Sequence, residues 1–164
     1  MDINLIPSQT SLLIDANILI YHLGGLSADC TVFLRRVALG EVESYVTTII
    51  IAKTLLRRMI GEAIAKKATT PSQALKKLKS DPKLIATLAD YITDIESILK
   101  LPIKIIEVTA ADIAASHALR KSFGLFVNGS INLVCAQRMG LSHIVTHDDD
   151  FDSLPINIWK PMDI

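Results

Sequence analysis

The sequence predicts an α/β protein, a three-layer α/β/α sandwich around a central parallel sheet of four to five strands. Two observations carry this reading. Short apolar runs of strand length alternate along the chain with helix-length amphipathic stretches, the pattern of a parallel sheet covered by helices on both faces. Two acid-bearing turns, at Asp15 and at Asp148 to Asp150, each follow the carboxyl end of an apolar run. Open α/β sheets place their ligand crevices at those ends. With 164 residues, the chain is long enough for one domain with a sizeable core. It is 50% hydrophobic and only 5% aromatic, so aliphatic side chains must fill that core.

The elements follow in order. Leu12 to Ile14 read as a strand buried on both faces, ending at Asp15. Asn17 to about Leu23 start a helix that Gly24-Gly25 break. Ser27 or Asp29 caps a second helix through Leu39, closed by Gly40. Glu43 to Thr47 is a short strand, and Thr48 caps a long helix reaching Met59 or Ile60. Thr70-Pro71-Ser72-Gln73 reads as a capping box with proline at the first helical position. Asp81-Pro82 opens a further helix through Leu99, with Leu84, Ile85, Leu88, Tyr91, Ile92 and Ile95 at helical spacing. These two helices form a hairpin at about 71–100, partner-facing or core-covering. Ile103 to Val108 is a strand. Thr109 and Asp112 open a helix that ends before Gly124, and Asn128 caps one that Gly140 closes. Ser142 to Thr146 and Ile156 to Trp159 complete the sheet. The whole chain, 1–164, reads as one domain.

Lysine plus arginine balance aspartate plus glutamate at 17 each. The net charge therefore demands neither nucleic acid nor a membrane surface, although a local basic face stays compatible with it. Cys30 and Cys135 belong to no CxxC or Cys/His cluster, which argues against structural zinc and for buried thiols in a reducing cytoplasm. Met1 to Pro7 lack a basic region before an apolar stretch, so no signal peptide is expected. The apolar runs are far too short to span a membrane.

Asp15 is either the cap of the following helix, with Asn17 helping, or part of a site. In a parallel sheet the turns at Asp15 and at Asp148 to Asp150 point the same way and converge on one crevice, which favours the site. Carboxylates gathered there need a divalent cation or a basic side chain between them.

Three stretches carry a family resemblance: LLIDANILIYHL, YVTTIIIAKTLLRRM and GLFVNGSINLVCAQRMGLSHIVTHDDDF. Together they resemble the PIN domain in its VapC-type toxin branch, over about residues 11–160. The resemblance implies a ribonuclease in which carboxylates hold Mg²⁺ or Mn²⁺ for attack on a phosphodiester. Asp15 matches the first acid of the site, with Asn17 as its helper. Asp148 matches the fourth, with Asp150 nearby. Thr47 or Thr48 matches a small hydroxyl residue lining the site. Two matches depart from the pattern: the second acid falls on Lys53 and the third on Gly129, in Asn128-Gly129-Ser130. Asp15 and Asp148 are then the metal ligands that remain, and a cation bound by them would be weakly held.

Lys53 has two readings. On its helix Ile49, Ile50 and Leu56 flank it, so it snorkels at the edge of the core. Alternatively its ammonium lies among Asp15 and Asp148 as a built-in counter-ion. Gly129 serves either as a tolerated glycine near a helix start or as a lost ligand. His147 is a turn residue, or a proton carrier or phosphate contact beside the acids. Arg57 and Arg58, with Lys66 and Lys67, form a solvated helix face or a track for RNA phosphates.

Three functions compete. The first is a VapC-type ribonuclease of weak or lost activity. The second is a non-catalytic PIN-fold protein that binds a protein partner or RNA. The third is a phosphotransferase resembling the haloacid dehalogenases, with Asp15 as nucleophile; Asn17 in place of that family's second acid weakens it. The expected cofactor is Mg²⁺ or Mn²⁺ if the site is active, and none otherwise. Expected partners are RNA if the site is active, an antitoxin-like protein whose amphipathic segment lies in a groove between helices, and a second copy of the chain in a homodimer.

Overall fold

The computed structural model describes all 164 residues. Five strands form one sheet: β1 Ser11–Ile14, β2 Glu43–Thr47, β3 Ile103–Ile106, β4 His143–Val145 and β5 Asn157–Trp159. Their order is β3-β2-β1-β4-β5, and every neighbouring pair is parallel. Around them run α1 Ala16–Leu23, α2 Ala28–Ala38, α3 Thr48–Ala65, α4 Ala74–Ser80, α5 Pro82–Thr87, α6 Asp90–Leu99, α7 Ala110–Phe123 and α8 Val127–Arg138. The expected α/β sandwich is therefore present, with all five strands in it. No single helix is long and apolar enough to cross a membrane.

Central β1 sets the core. Leu12, Leu13 and Ile14 are wholly buried, as an uninterrupted apolar run between two neighbouring strands requires. Phe33 and Val37 of α2, Ile50 of α3, and Cys135 and Ala136 of α8 pack in the same cluster. From β1 the chain steps outward through β2 to β3, then returns to the other side of β1 for β4 and β5. The strand order thus reverses between β1 and β4, and a crevice opens beyond their carboxyl ends.

Several boundaries differ from expectation. Helix α3 runs to Ala65, past Met59 and Ile60, because buried Glu62 and Ala63 anchor its last turns. The 70–73 stretch is not a capping box. Thr70 Oγ1 lies 3.3 Å from Ser72 Oγ, and α4 begins at Ala74 with no side-chain cap. Asn128 does not cap α8, which starts at Val127 after Phe126 and also lacks a side-chain cap. Strand β3 ends at Ile106, short of Val108.

The expected single helix from Asp81 to Leu99 is two helices. Leu88 between them is extended and buried in a small second cluster with Ala63 and Leu78. The break is stabilised from outside. Glu62 of α3 accepts the Ala89 N–H at 2.9 Å and the Tyr91 N–H at 3.0 Å, so a remote carboxylate caps α6. Lys66, one turn on, donates to the same carboxylate at 2.5 Å. Arg58 closes the α3–α6 contact with an ion pair to Asp94 at 2.7 Å. That pairing engages Arg58 through Nε, whereas Arg57 is exposed.

Burial alone would raise the Glu62 carboxyl. The Lys66 ammonium and the N–H groups of Tyr91, Ala89 and Asp90 outweigh it and hold the group at about 2. A depressed carboxyl stabilises the fold above its ordinary titration range, and the contribution fades as pH falls toward the folded value. Glu62→Ala leaves two backbone donors and the α6 terminus uncompensated. It is expected to cost about 2–3 kcal/mol in urea unfolding at neutral pH, with a smaller cost in strong acid. Hydrogen exchange should show α4 to α6 opening before the sheet.

Candidate functional site

The site begins with the shortness of β1. Its apolar run stops at Ile14, and Asp15 turns the chain into α1 as the helix N-cap. Across the strand reversal, β4 stops at Val145 and the chain turns through Thr146, His147 and Asp148. The two turns meet. Asp15 is only 4% exposed. Its Oδ1 accepts the Ala16 N–H at 2.7 Å and its Oδ2 accepts the Thr146 hydroxyl at 3.0 Å.

Thr146 is the hub. While donating to Asp15, its Oγ1 accepts from Asn17 Nδ2 at 3.2 Å and from the Asp148 N–H at 3.0 Å. One donor and two acceptor sites exhaust a hydroxyl. The other end of the Asn17 amide accepts the His147 N–H at 3.3 Å. Asn17 therefore stitches α1 to the β4 turn, and Asp15 caps α1 in a buried position; neither residue is among the walls of the cavity that lies beyond. In the sequence Thr146 ends the expected strand Ser142 to Thr146 and opens Thr146-His147-Asp148, and that position signals its place in the turn. His147 packs edge-on against Tyr21, with Nδ1 3.4 Å from the phenol oxygen.

Beyond this network lies a cavity of about 320 Å³. Lys53, Gly129, Asp148, Asp150 and Phe151 are among its walls, with Phe126 at the start of α8. Lys53 thus faces the crevice. It makes no ion pair within 4.0 Å, so the direct bridge to Asp15 and Asp148 expected of a counter-ion is absent and its charge acts at longer range. Burial raises the Asp15 carboxyl above its ordinary value. The Lys53 charge, the Ala16 N–H and the Thr146 hydroxyl oppose that rise, and Asp148 adds to it.

The remaining candidates divide. Asp148 caps the short turn that follows, its Oδ1 accepting the Asp150 N–H at 3.1 Å. Asp150 is exposed at the cavity. Thr47, wholly buried, caps α3 through the Ile50 N–H at 3.1 Å and donates to Asn132 Oδ1 at 2.7 Å. It joins the start of α3 to α8 and is not among the cavity walls. Asn132 was not singled out from the sequence, because an amide inside an apolar helix resembles a surface residue until its partner is known. Thr48 is exposed and accepts the Val108 N–H at 3.4 Å, away from the cavity walls. Gly129 packs under Phe151: a Cβ at this position would stand 3.3 Å from Phe151 Cζ.

These donors do not fit a divalent-metal centre. Mg²⁺ and Mn²⁺ want several oxygen ligands in near-octahedral array. Both Asp15 oxygens and one Asp148 oxygen already accept hydrogen bonds. Gly129 offers none and Lys53 brings a positive charge. Nowhere do three or more His, Cys, Asp or Glu side chains gather as metal ligands.

Solved structures share the architecture. A chain of the VapBC2 complex from Rickettsia felis, bound to a DNA fragment from its promoter, matches with a TM-score of 0.57 and 14% identity, over 93% of this chain and 99% of that one. A chain of a toxin–antitoxin complex from Klebsiella pneumoniae matches at 0.56 and 24% identity, with the same coverage. VapC20 of Mycobacterium tuberculosis, a toxin that cleaves the sarcin–ricin loop, matches at 0.57 and 9% identity over 89% of this chain and 98% of that one. The fold is thus the PIN fold of VapC toxins. No protein-family model and no curated protein matches the sequence.

The hub hydroxyl gives a test. Thr146→Val removes a donor from a buried carboxylate and an acceptor from two N–H groups, at an expected cost of about 2–3 kcal/mol. The Asp15 carboxyl should rise further. A carboxyl raised in the folded state costs stability as pH climbs through its folded titration range. The loss should therefore be larger at neutral pH than in acid, read from urea midpoints across pH.

Proposed function

We propose that this chain is a VapC-type PIN-fold protein whose divalent-metal-dependent ribonuclease activity is weak or lost, and which acts by binding. The observation that carries the reading is the cavity wall, where Lys53 and Gly129 stand in place of carboxylates beside Asp148 and Asp150. The Lys53 ammonium supplies part of the positive field that Asp15 and Asp148 need, and it repels an incoming divalent ion. Asp15, Asn17, Asp148 and Asp150 then hold the shape of the crevice, with His147 and Thr47 supporting it.

Two of the structurally similar chains come from toxin–antitoxin complexes, which supports an antitoxin-like protein partner for this one. A partner segment of amphipathic character would lie between helices. A homodimer through the apolar helices within 48–99 belongs to the same proposal. The free, buried thiols of Cys30 and Cys135 suit a cytoplasmic setting.

The test is RNA cleavage with Mg²⁺ or Mn²⁺ by the unmodified chain and by Asp15→Ala. The expected result is no metal-dependent cleavage above the variant's background. Metal-dependent cleavage abolished by Asp15→Ala would overturn the reading. In calorimetry the unmodified chain should take up Mn²⁺ weakly or not at all. Lys53→Glu with Gly129→Asp should bind it at least tenfold more tightly, most clearly with Phe151→Leu added to relieve the contact at position 129.

A further inference from the structure

We propose that the α3–α4 turn and helix α4 form a second binding surface, directed at the phosphate backbone of nucleic acid and separate from the crevice. The overall neutrality of the chain conceals a strong segregation of charge. Residues 66–83 hold six lysines against one aspartate, a surplus of five cations. Because the whole chain balances at zero, the remaining residues carry an equal surplus of anions.

The single acid of the segment is already engaged. Asp81 caps α5 through the Leu84 N–H at 3.0 Å and pairs with Lys77 at 2.9 Å. Lys66 is bound to Glu62 and lies 3.4 Å from Asp90. Lys67, Lys76, Lys79 and Lys83 are exposed with no carboxylate within 4.0 Å. Lys76 and Lys79 line one hollow with Ser72 and Ser80, and Lys76 and Lys77 line another with Gln73 and Ser80. Ammonium groups interleaved with neutral hydroxyl and amide donors match the chemistry of phosphate oxygens.

Backbone geometry adds an independent sign. Lys67 has φ 56°, a left-handed conformation, at the end of α3. Where α2, α7 and α8 end, the chain uses Gly40, Gly124 and Gly140 for the same conformation. Keeping a lysine there costs roughly 1 kcal/mol relative to glycine.

The apolar side of α4 explains why nucleic acid is favoured over a membrane. Ala74 is buried and Leu78 packs in the small cluster with Ala63 and Leu88, leaving Leu75 as the exposed large apolar side chain of the segment. An interfacial helix needs a broad apolar face to insert, and this one has spent its face on the protein. The acid surplus elsewhere repels a polyanion and steers it to the hairpin. Lys53 lies ten residues before Ala63 on α3, about 15 Å along the helix axis, so the two surfaces are distinct.

The experiment is fluorescence-anisotropy binding of a short labelled single-stranded RNA and of duplex DNA, from roughly 50 to 200 mM salt. Polyglutamate and anionic phospholipid vesicles serve as competing polyanions. Binding to RNA or DNA with a steep salt dependence is expected. Lys76→Gln/Lys79→Gln/Lys83→Gln should weaken RNA binding about tenfold and flatten the logarithmic salt slope by roughly 2. Circular dichroism checks the fold, and the single reversals Lys76→Glu and Lys83→Glu give the same reading should the triple variant fold poorly. Unchanged binding by folded variants overturns the proposal. So does capture of polyglutamate or vesicles with no binding to either nucleic acid.

Discussion

Burial of the Asp15 carboxylate at the strand reversal is the constraint on which the rest of the site depends. A carboxylate removed from water is costly, and the fold offsets that cost with an N–H, a hydroxyl and a distant ammonium rather than with a contact ion pair. Satisfying Asp15 determines the neighbours in turn. Thr146 must aim its proton at Asp15, so its lone pairs are free to fix Asn17 and the Asp148 backbone. The turn after β4 is thereby locked to α1, and the crevice has a rigid floor.

The walls above that floor follow from charge. The Lys53 charge opposes the burial of Asp15 without a contact ion pair, and the desolvation outweighs it. The net upward displacement of the Asp15 carboxyl agrees with this balance. At the opposite wall Phe151 packs closely over Gly129, and a Cβ there would need the ring to give by a few tenths of an ångström. A lysine and a glycine thus stand on the cavity wall beside Asp148 and Asp150.

A second buried carboxylate organises the helical hairpin by the same logic with the opposite balance. Glu62 has a contact ammonium and backbone donors, so it is held far below the usual range where Asp15 is raised. The hairpin is thus clamped to α3 by one side chain that caps the start of α6. Ala74 and Leu78 of α4 turn inward, and the lysines of α4 face outward.

Much of this protein was determined by the sequence alone. Apolar runs alternating with amphipathic stretches dictate a parallel sheet between helices, because a strand buried on both faces must be apolar throughout and a covering helix apolar on one side. The same pattern places Asp15 and Asp148 at carboxyl ends of strands, and motif similarity marks Lys53 and Gly129 as departures. Tertiary structure alone decided how those residues are satisfied. Thr146 as hub, Asn132 under Thr47, Arg58 spent on Asp94 and Glu62 capping α6 all pair residues far apart in the chain, and local pattern carries no record of a distant hydrogen-bond partner. The break at Leu88 has the same origin. Helical periodicity runs through it without interruption, but a buried leucine and a carboxylate from another helix outweigh the propensity of the segment itself.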